Sequence, residues 1–191
     1  PQASSTMDEP VAVPLTGPEV TVMPLGQTRR DAVGLLSTRL TGLPRDAVAG
    51  SDPERIADLI QTLPGDAIPA MQDLALMLML AELDPPRGAG DTDRLFFARI
   101  DGLLRFGALD QAQALLERAG ATDPEAFRRW WDTSLLTGFD TRACDAMTAN
   151  PGVAPTLPAR IFCLSRSGDW AAAALTLDTG RALGMITDEE D

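Results

Sequence analysis

The stretch "LLRFGALDQAQALLERAGATDP" occupies residues 103–124 and contains the spacing that decides the fold. Gly107 is followed by Ala112 five residues later, by Ala119 after seven more, and by Pro124 after a further five. Glycine readily adopts the positive φ that ends many helices. A small residue soon after it lets a second helix pack closely on the first, and proline suits the first turn of the next helix. The stretch therefore predicts the turn and second helix of a hairpin, followed by the start of another helix.

The same pattern recurs along the chain with a period of about 30 residues. Gly107, Gly138 and Gly168 stand 31 and 30 residues apart, and equivalent apolar positions surround each of them. Those positions are Phe96, Phe127 and Leu157; Ile100, Trp131 and Ile161; Ala112, Ala143 and Ala173; and Leu116, Met147 and Leu177. Equal offsets in three windows indicate an internal repeat, and repeats of this length are typical of solenoids.

The repeat resembles the tetratricopeptide motif. The matching residues in the best copy are Gly107, Ala112, Leu116, Ala119, Asp123 and Pro124, and "SGDWAAAAL" at 167–175 is similar to a second turn and helix. The sequence departs from the family at Asn150 and Gly180, where a second Ala is usual, and at the level of Ile100, Trp131 and Ile161, where a small residue is usual. Over roughly 91–185 the resemblance implies an all-α fold: a right-handed α-solenoid of antiparallel helix hairpins with a concave surface.

Composition divides the chain into two parts. Residues 1–28 contain five prolines and no helical period, which predicts an extended Pro-rich tail or linker. Residues 29–191 are predicted to form the α-helical repeat domain. Within it, Ser51/Glu54 and Thr122/Glu125 have capping-box spacing, and residues 67–83, apolar nearly all round, predict a buried helix.

Both ends of the sequence bear on what surrounds this segment. Thr187/Glu190 repeats the capping-box spacing at the end, which favours an N-terminal part of a longer solenoid over an acidic, frayed C-terminus. Pro1 rather than Met stands at the start, which we interpret as cleavage after a signal peptide or as an artificial start of the expressed chain.

Missing residue types exclude several chemistries. The chain has no His, no Tyr and no Lys, so it has no imidazole base or metal ligand, no Ser/His triad and no phosphate-loop lysine. A formal charge of −12 opposes nucleic-acid binding, and no apolar run is long enough to span a membrane. The carboxylates at Asp91/Asp93 and in "DEED" lack the spacing of a calcium loop. We therefore expect no enzyme activity, cofactor or metal from this segment.

The function expected is that of a scaffold that binds another protein or a peptide, possible settings including the bacterial cell envelope. The resemblance maps its concave face onto Arg94, Phe97 and Asp101 in the first clear repeat, and onto Arg128, Asp132 and Leu135 in the second. Both arginines are able to hold a peptide carboxylate or simply to solvate a helix face. Trp131 is expected in the core, with Trp130 at a rim. An alternative function is a superhelical accessory domain of a larger periplasmic cell-wall enzyme, and a third is self-association.

Two cysteines give the sharpest structural prediction. Cys144 and Cys163 lie nine or ten residues either side of the loop centre near Val153 and Ala154, so neighbouring antiparallel helices bring them to the same height. In an exported, periplasmic protein they would form a disulfide; in the cytoplasm they would be two buried thiols.

Overall fold

A computed structural model describes residues 29–87 and 93–186 of the chain. The predicted tail at 1–28, Asp91 and the acidic end from Thr187 lie outside these residues. The two described ranges contain helices and no strand; the nearest approach to a sheet is one parallel bridge between Leu36 and Ala81. The helices are α1 (Thr38–Thr41), α2 (Pro53–Thr62), α3 (Pro69–Leu80), α4 (Arg94–Arg105), α5 (Leu109–Ala119), α6 (Pro124–Thr137), α7 (Asp140–Ala149), α8 (Leu157–Arg166) and α9 (Trp170–Ala182), with 3₁₀ turns at Arg30–Ala32 and Pro151–Val153.

The repeated glycines connect three helix pairs, as the spacing predicts. Gly107, Gly138 and Gly168 have φ angles of 70°, 78° and 86°, in the left-handed region that L-residues with side chains rarely occupy. They separate α4 from α5, α6 from α7 and α8 from α9, and each helix from α4 onward packs against the next. The all-α class and the positions of the turns are therefore confirmed.

The repeated apolar positions form the core, except in the last pair. All eight positions in the first two windows are buried. In the third window only Ala173 is buried, whereas Leu157, Ile161 and Leu177 are partly exposed. A hairpin in the middle of the row is covered on both sides, but none of the described elements covers the far side of α8 and α9.

Helix α3 corrects an expectation. The sequence predicts a helix buried on all sides, yet Met71, Leu74 and Leu78 are 53%, 51% and 43% exposed. Helix α3 contacts α4 on one side, and Met79 and Leu80 are buried. The other side of the helix is left uncovered by the described residues. The prediction of full burial was wrong, and the helix presents an apolar face outward.

The N-caps correct two further expectations. Asp52 rather than Ser51 caps α2, its carboxylate accepting a hydrogen bond from the Glu54 N–H at 3.0 Å. Asp123 rather than Thr122 caps α6, accepting from the residue 125 and 126 N–H groups. In both helices proline occupies the first position, so the residue directly before it becomes the cap, and aspartate fills that role well.

Tight packing at α4 depends on Gly102. A Cβ there would lie 2.9 Å from Ile60 Cγ2 and would also overlap the Met79 sulfur. Gly102 thus supplies the small residue for the close approach of α2 and α3 to the first helix of this hairpin. The tetratricopeptide motif has its small residue at the level of Ile100 instead.

The tryptophans differ in burial. Trp131 lies in the core as predicted, and its ring meets the Phe162 ring edge-on at 5.6 Å. Trp130 is buried as well, and its indole N–H donates to Glu117 Oε1 at 3.3 Å, so the expected rim position was wrong.

The segment before α1 is held to the middle of the helical row. Arg30 donates to Asp93 Oδ2 and to the Gly120 carbonyl, both at 2.9 Å, and forms an ion pair with Asp123. Its guanidinium therefore joins the start of α4 to the turn between α5 and α6.

Candidate protein-binding site

Helices α2 and α3 both pack on α4 and leave an apolar groove, here called the α2–α3 groove. It encloses a cavity of about 260 Å³. Two charged side chains, Asp31 and Arg99, line it, and every other lining residue is apolar. The apolar lining comprises Val48, Ile56, Leu59, Ile60, Leu63, Ala75, Leu78, Met79, Ala81, Leu83, Pro85, Pro86 and Leu95.

The sequence places these side chains through helical periodicity. On α2, Ile56, Leu59, Ile60 and Leu63 recur at helical spacing and form one face. Leu59 is nevertheless 56% exposed, because α4 covers only part of this face. On α3, Leu78 lines the groove, and Leu74 and Met71 precede it at intervals of four and three residues, on the same face of the helix. The apolar surface therefore continues out of the groove along α3.

Arg99 lies at the groove, and each of its three guanidinium nitrogens donates to a backbone carbonyl. Its Nε donates to the Met79 carbonyl at 2.7 Å, Nη1 to the Asp31 carbonyl at 3.1 Å, and Nη2 to the Ala81 carbonyl at 3.2 Å. Burial lowers the pKa of Arg99 to about 10, against a smaller opposing effect of Asp31, so the side chain is charged at neutral pH.

Asp31 is the neighbouring buried carboxylate. Its Oδ1 accepts a hydrogen bond from the Phe96 N–H at 2.8 Å, in the first turn of α4. Burial raises the pKa of Asp31; the Phe96 hydrogen bond and the positive charges of Arg29 and Arg99 oppose that rise. Because both charged groups serve the internal structure, the chemistry that the groove offers a ligand is mainly apolar contact.

The first three residues predicted to contact a partner are engaged within the chain. Arg94 pairs with Glu54 and Asp58 of α2, at 2.7 Å each. Phe97 is buried, and the Arg129 guanidinium lies over its ring at 4.4 Å from the centroid. Asp101 pairs with Arg129 at 2.9 Å. Residues of α2 therefore engage Arg94, and Arg129 of α6 engages Phe97 and Asp101.

The other three predicted residues are exposed on α6. Arg128 and Asp132 are one turn apart, with Arg128 Nε 4.0 Å from Asp132 Oδ2. Leu135 is partly exposed one turn later. The structure does not bring them together with Arg94, which faces α2. Partner contact by all six residues stays a prediction.

Sequence analysis missed the α2–α3 groove. The signal was present in the continuous apolarity of residues 74–81, which exceeds what one contact with α4 is able to cover. Periodicity alone does not separate a helix surrounded by protein from one with an uncovered apolar side.

The cysteines are neighbours, as predicted. Cys144 in α7 and Cys163 in α8 have Cα atoms 5.0 Å apart, with their sulfurs at disulfide-bonding distance. This confirms the register of the two helices and fits an oxidising compartment.

Residues 29–87 and 93–186 contain neither a candidate membrane span nor a candidate metal site. No helix there combines the length and apolarity of a membrane span, and no cluster of acidic and cysteine side chains has the arrangement of a metal site.

No family model matches the chain, and neither the curated proteins nor the solved structures contain a match to it.

Proposed function

We propose that this chain is a non-catalytic protein-interaction module that binds a peptide segment of another protein in the α2–α3 groove. The observation that carries the proposal is the exposed apolar surface of Leu59, Met71, Leu74 and Leu78, continuous with the groove. Soluble proteins rarely leave a contiguous apolar surface of this kind uncovered unless it binds something.

The dimensions favour a peptide over a small molecule. The cavity of about 260 Å³ lies just under the usual range for small-molecule pockets, about 300–1,000 Å³. The apolar surface, in contrast, runs on along α3 beyond the cavity. A peptide with several apolar side chains would cover both parts, whereas a compact ligand would cover only the first.

The wider setting proposed is an α-solenoid scaffold in the bacterial periplasm. The tetratricopeptide resemblance supports a right-handed solenoid, and the recurring helix pairs are compatible with one. The Cys144–Cys163 pair supports an oxidising compartment. In this proposal α6 would offer a second, more polar contact through Arg128, Asp132 and Leu135, whereas Arg94, Phe97 and Asp101 are engaged within the chain.

Selection from a displayed library of random peptides tests the function. Wild-type protein is the target, and the selected peptides are then titrated against a Leu74→Gln/Leu78→Gln variant. We expect micromolar binders whose affinity falls at least about ten-fold in the variant, because glutamine removes the apolar contacts. The matched control is Leu136→Gln, which changes a leucine 69% exposed on α6.

Circular dichroism and thermal melting establish that both variants fold. Peptides that bind the groove variant as tightly as the wild type would place the binding site elsewhere. A selection that yields no binder at all would contradict a peptide-binding function.

A further inference from the structure

From the shape and charge of the α2–α3 groove we infer that its partner segment is a short amphipathic α-helix with arginine or lysine on its polar flanks. The inference rests on the proposed function and names the class of partner.

The backbone around the groove argues for a helix. The exposed apolar residues of the groove and of its continuation lie on α2 and α3, whose interior N–H and C=O groups are satisfied within each helix. The part of the chain that the structure describes presents no open sheet edge beside the groove. An extended peptide would therefore lose hydrogen bonds to water and gain no backbone partners in an apolar slot. A helix satisfies its own backbone and presents only side chains.

The spacing of the exposed leucines fits a helix of about two turns. Met71 to Leu78 is seven residues of α3, which rises about 10 Å. A partner helix with apolar residues at positions i, i+3 or i+4, and i+7 presents a stripe of the same length, the usual arrangement of helix-in-groove recognition. Leu59 on α2 would contact the other side of that stripe.

The charges on and around α2 and α3 indicate which residues should flank the partner's apolar stripe. Residues 52–80 comprise the N-cap of α2, both helices and their connection, and they contain one arginine, Arg55, and five carboxylates: Asp52, Glu54, Asp58, Asp66 and Asp73. Arg94 pairs with Glu54 and Asp58, but no ion pair of Asp66 or Asp73 is present in the described residues. Both are exposed, one in the α2–α3 connection and one beside Leu74. Positive residues flanking the partner's apolar stripe would complement them.

The same charges disfavour a second copy of this chain as the occupant. Two α2–α3 surfaces facing each other would bring like-charged carboxylates together around a small apolar contact. The whole chain has a formal charge of −12, so encounter between copies is repulsive as well.

Three synthetic peptides of about 18 residues test the inference by fluorescence anisotropy. The first is helical, with leucines in one stripe and arginines on the flanks. The second replaces the arginines by glutamates, and the third has the first peptide's composition with the stripe disrupted. We expect the first to bind at least about ten-fold more tightly than the others, and more weakly as salt is raised.

Two protein variants locate the effect. Leu74→Gln/Leu78→Gln should weaken the basic striped peptide about ten-fold, whereas Leu136→Gln should leave its affinity unchanged. Asp66→Asn/Asp73→Asn should reduce the preference for the basic over the acidic peptide and flatten its salt dependence. All five substituted positions are exposed, so each variant is expected to fold.

The outcomes separate this inference from the proposed function. Acidic or stripe-disrupted peptides that bind as well as the basic striped peptide overturn the partner class. If library-selected peptides require Leu74 and Leu78 but are acidic or non-helical, the groove still binds peptides and only the partner class is wrong. If neither the designed nor the selected peptides depend on those leucines, both proposals fail.

Discussion

At the scale of single residues, Arg99 connects three parts of the N-terminal half of the fold through hydrogen bonds. Its guanidinium hydrogen-bonds to carbonyls at 31, 79 and 81, which belong to two chain segments that are distant from α4 in sequence. These carbonyls would otherwise be buried without a donor. One side chain thus fixes both the segment before α1 and the end of α3 onto α4.

Replacing Arg99 by Met should lower the free energy of unfolding by about 3–5 kcal/mol, because it leaves three buried carbonyls without a donor and removes a positive charge near the Asp31 carboxylate. Urea unfolding at neutral pH measures the loss. Arg94→Met is the matched control: it breaks two exposed ion pairs, with Glu54 and Asp58, and should cost no more than about 1 kcal/mol. Equal losses in the two variants would refute the assignment of Arg99.

Asp31 gives stability a specific pH dependence. Its folded-state pKa is raised above 3.8 by burial, so native protein takes up this proton before the unfolded chain does. As pH falls through the folded-state pKa towards 3.8, the penalty for burying the charged carboxylate is relieved, and this group's contribution shifts in favour of folding.

Comparison with Asp31→Asn isolates that contribution. The wild type should gain stability relative to the variant as pH is lowered from 7 to just above 3.8. Urea titrations of both proteins at several pH values give the difference directly. A difference independent of pH, or one that changes in the opposite direction, would show that the carboxylate does not titrate as described.

At the scale of secondary structure, α7 and α8 are joined through Cys144 and Cys163. A crosslink between residues 19 apart lowers the entropy of the unfolded chain, which raises the free energy of unfolding by about 3 kcal/mol in the chain-entropy model. The double variant Cys144→Ala/Cys163→Ala should therefore have a free energy of unfolding about 3 kcal/mol below that of the oxidised wild type. Urea unfolding of both proteins measures the difference. Reduced wild type is the control for this variant, because it lacks the crosslink but keeps both cysteine side chains.

Thiol titration checks the bond itself. Denatured, unreduced protein exported to an oxidising compartment should contain no free thiol. Two free thiols per chain in such protein would mean that the cysteines are neighbours without being bonded.

The helix pairs and the cysteine register could be predicted from sequence because they depend on local signals. Gly107, Gly138 and Gly168 mark turns through their backbone freedom, and apolar periodicity then sets which residues face each other. The N-caps were predicted one residue early, because Ser51 and Thr122 were favoured by capping-box spacing while proline in the first turn decided for the aspartates.

The candidate site could not be predicted in the same way. Whether Leu74 and Leu78 are covered depends on where α2 lies across α4, which is a tertiary property. The family resemblance places Arg94 on a concave face, but its guanidinium forms ion pairs with Glu54 and Asp58 of α2. Gly102, which permits this approach of α2 and α3, lies outside the repeat pattern and carried no separate signal.

At the scale of the whole molecule, burial is concentrated in the middle of the helical row. Helix α4 has eight buried residues and α6 has six, whereas α9 has only Ala173 and Gly180. Leu175 and Leu183 of the last hairpin are largely exposed. Elements with few buried apolar contacts open locally at lower free energy than the core.

Amide hydrogen exchange should reveal this gradient. We expect interior amides of α4 to exchange at the rate of global unfolding and those of α9 at least about ten-fold faster. Peptide-resolved mass spectrometry of the native protein measures both. Equal protection in α9 and α4 would contradict the gradient and would indicate that something covers the last hairpin in solution.

Arg30 gives the molecule a defined mechanical attachment. Because its guanidinium grips Asp93, Asp123 and the Gly120 carbonyl, tension applied at residue 29 is transmitted to the start of α4 and the α5–α6 turn. A pull there therefore loads these three contacts of one guanidinium together. The N-terminal segment is thus attached near the middle of the helical row, and detaching it requires the loss of all three contacts of Arg30.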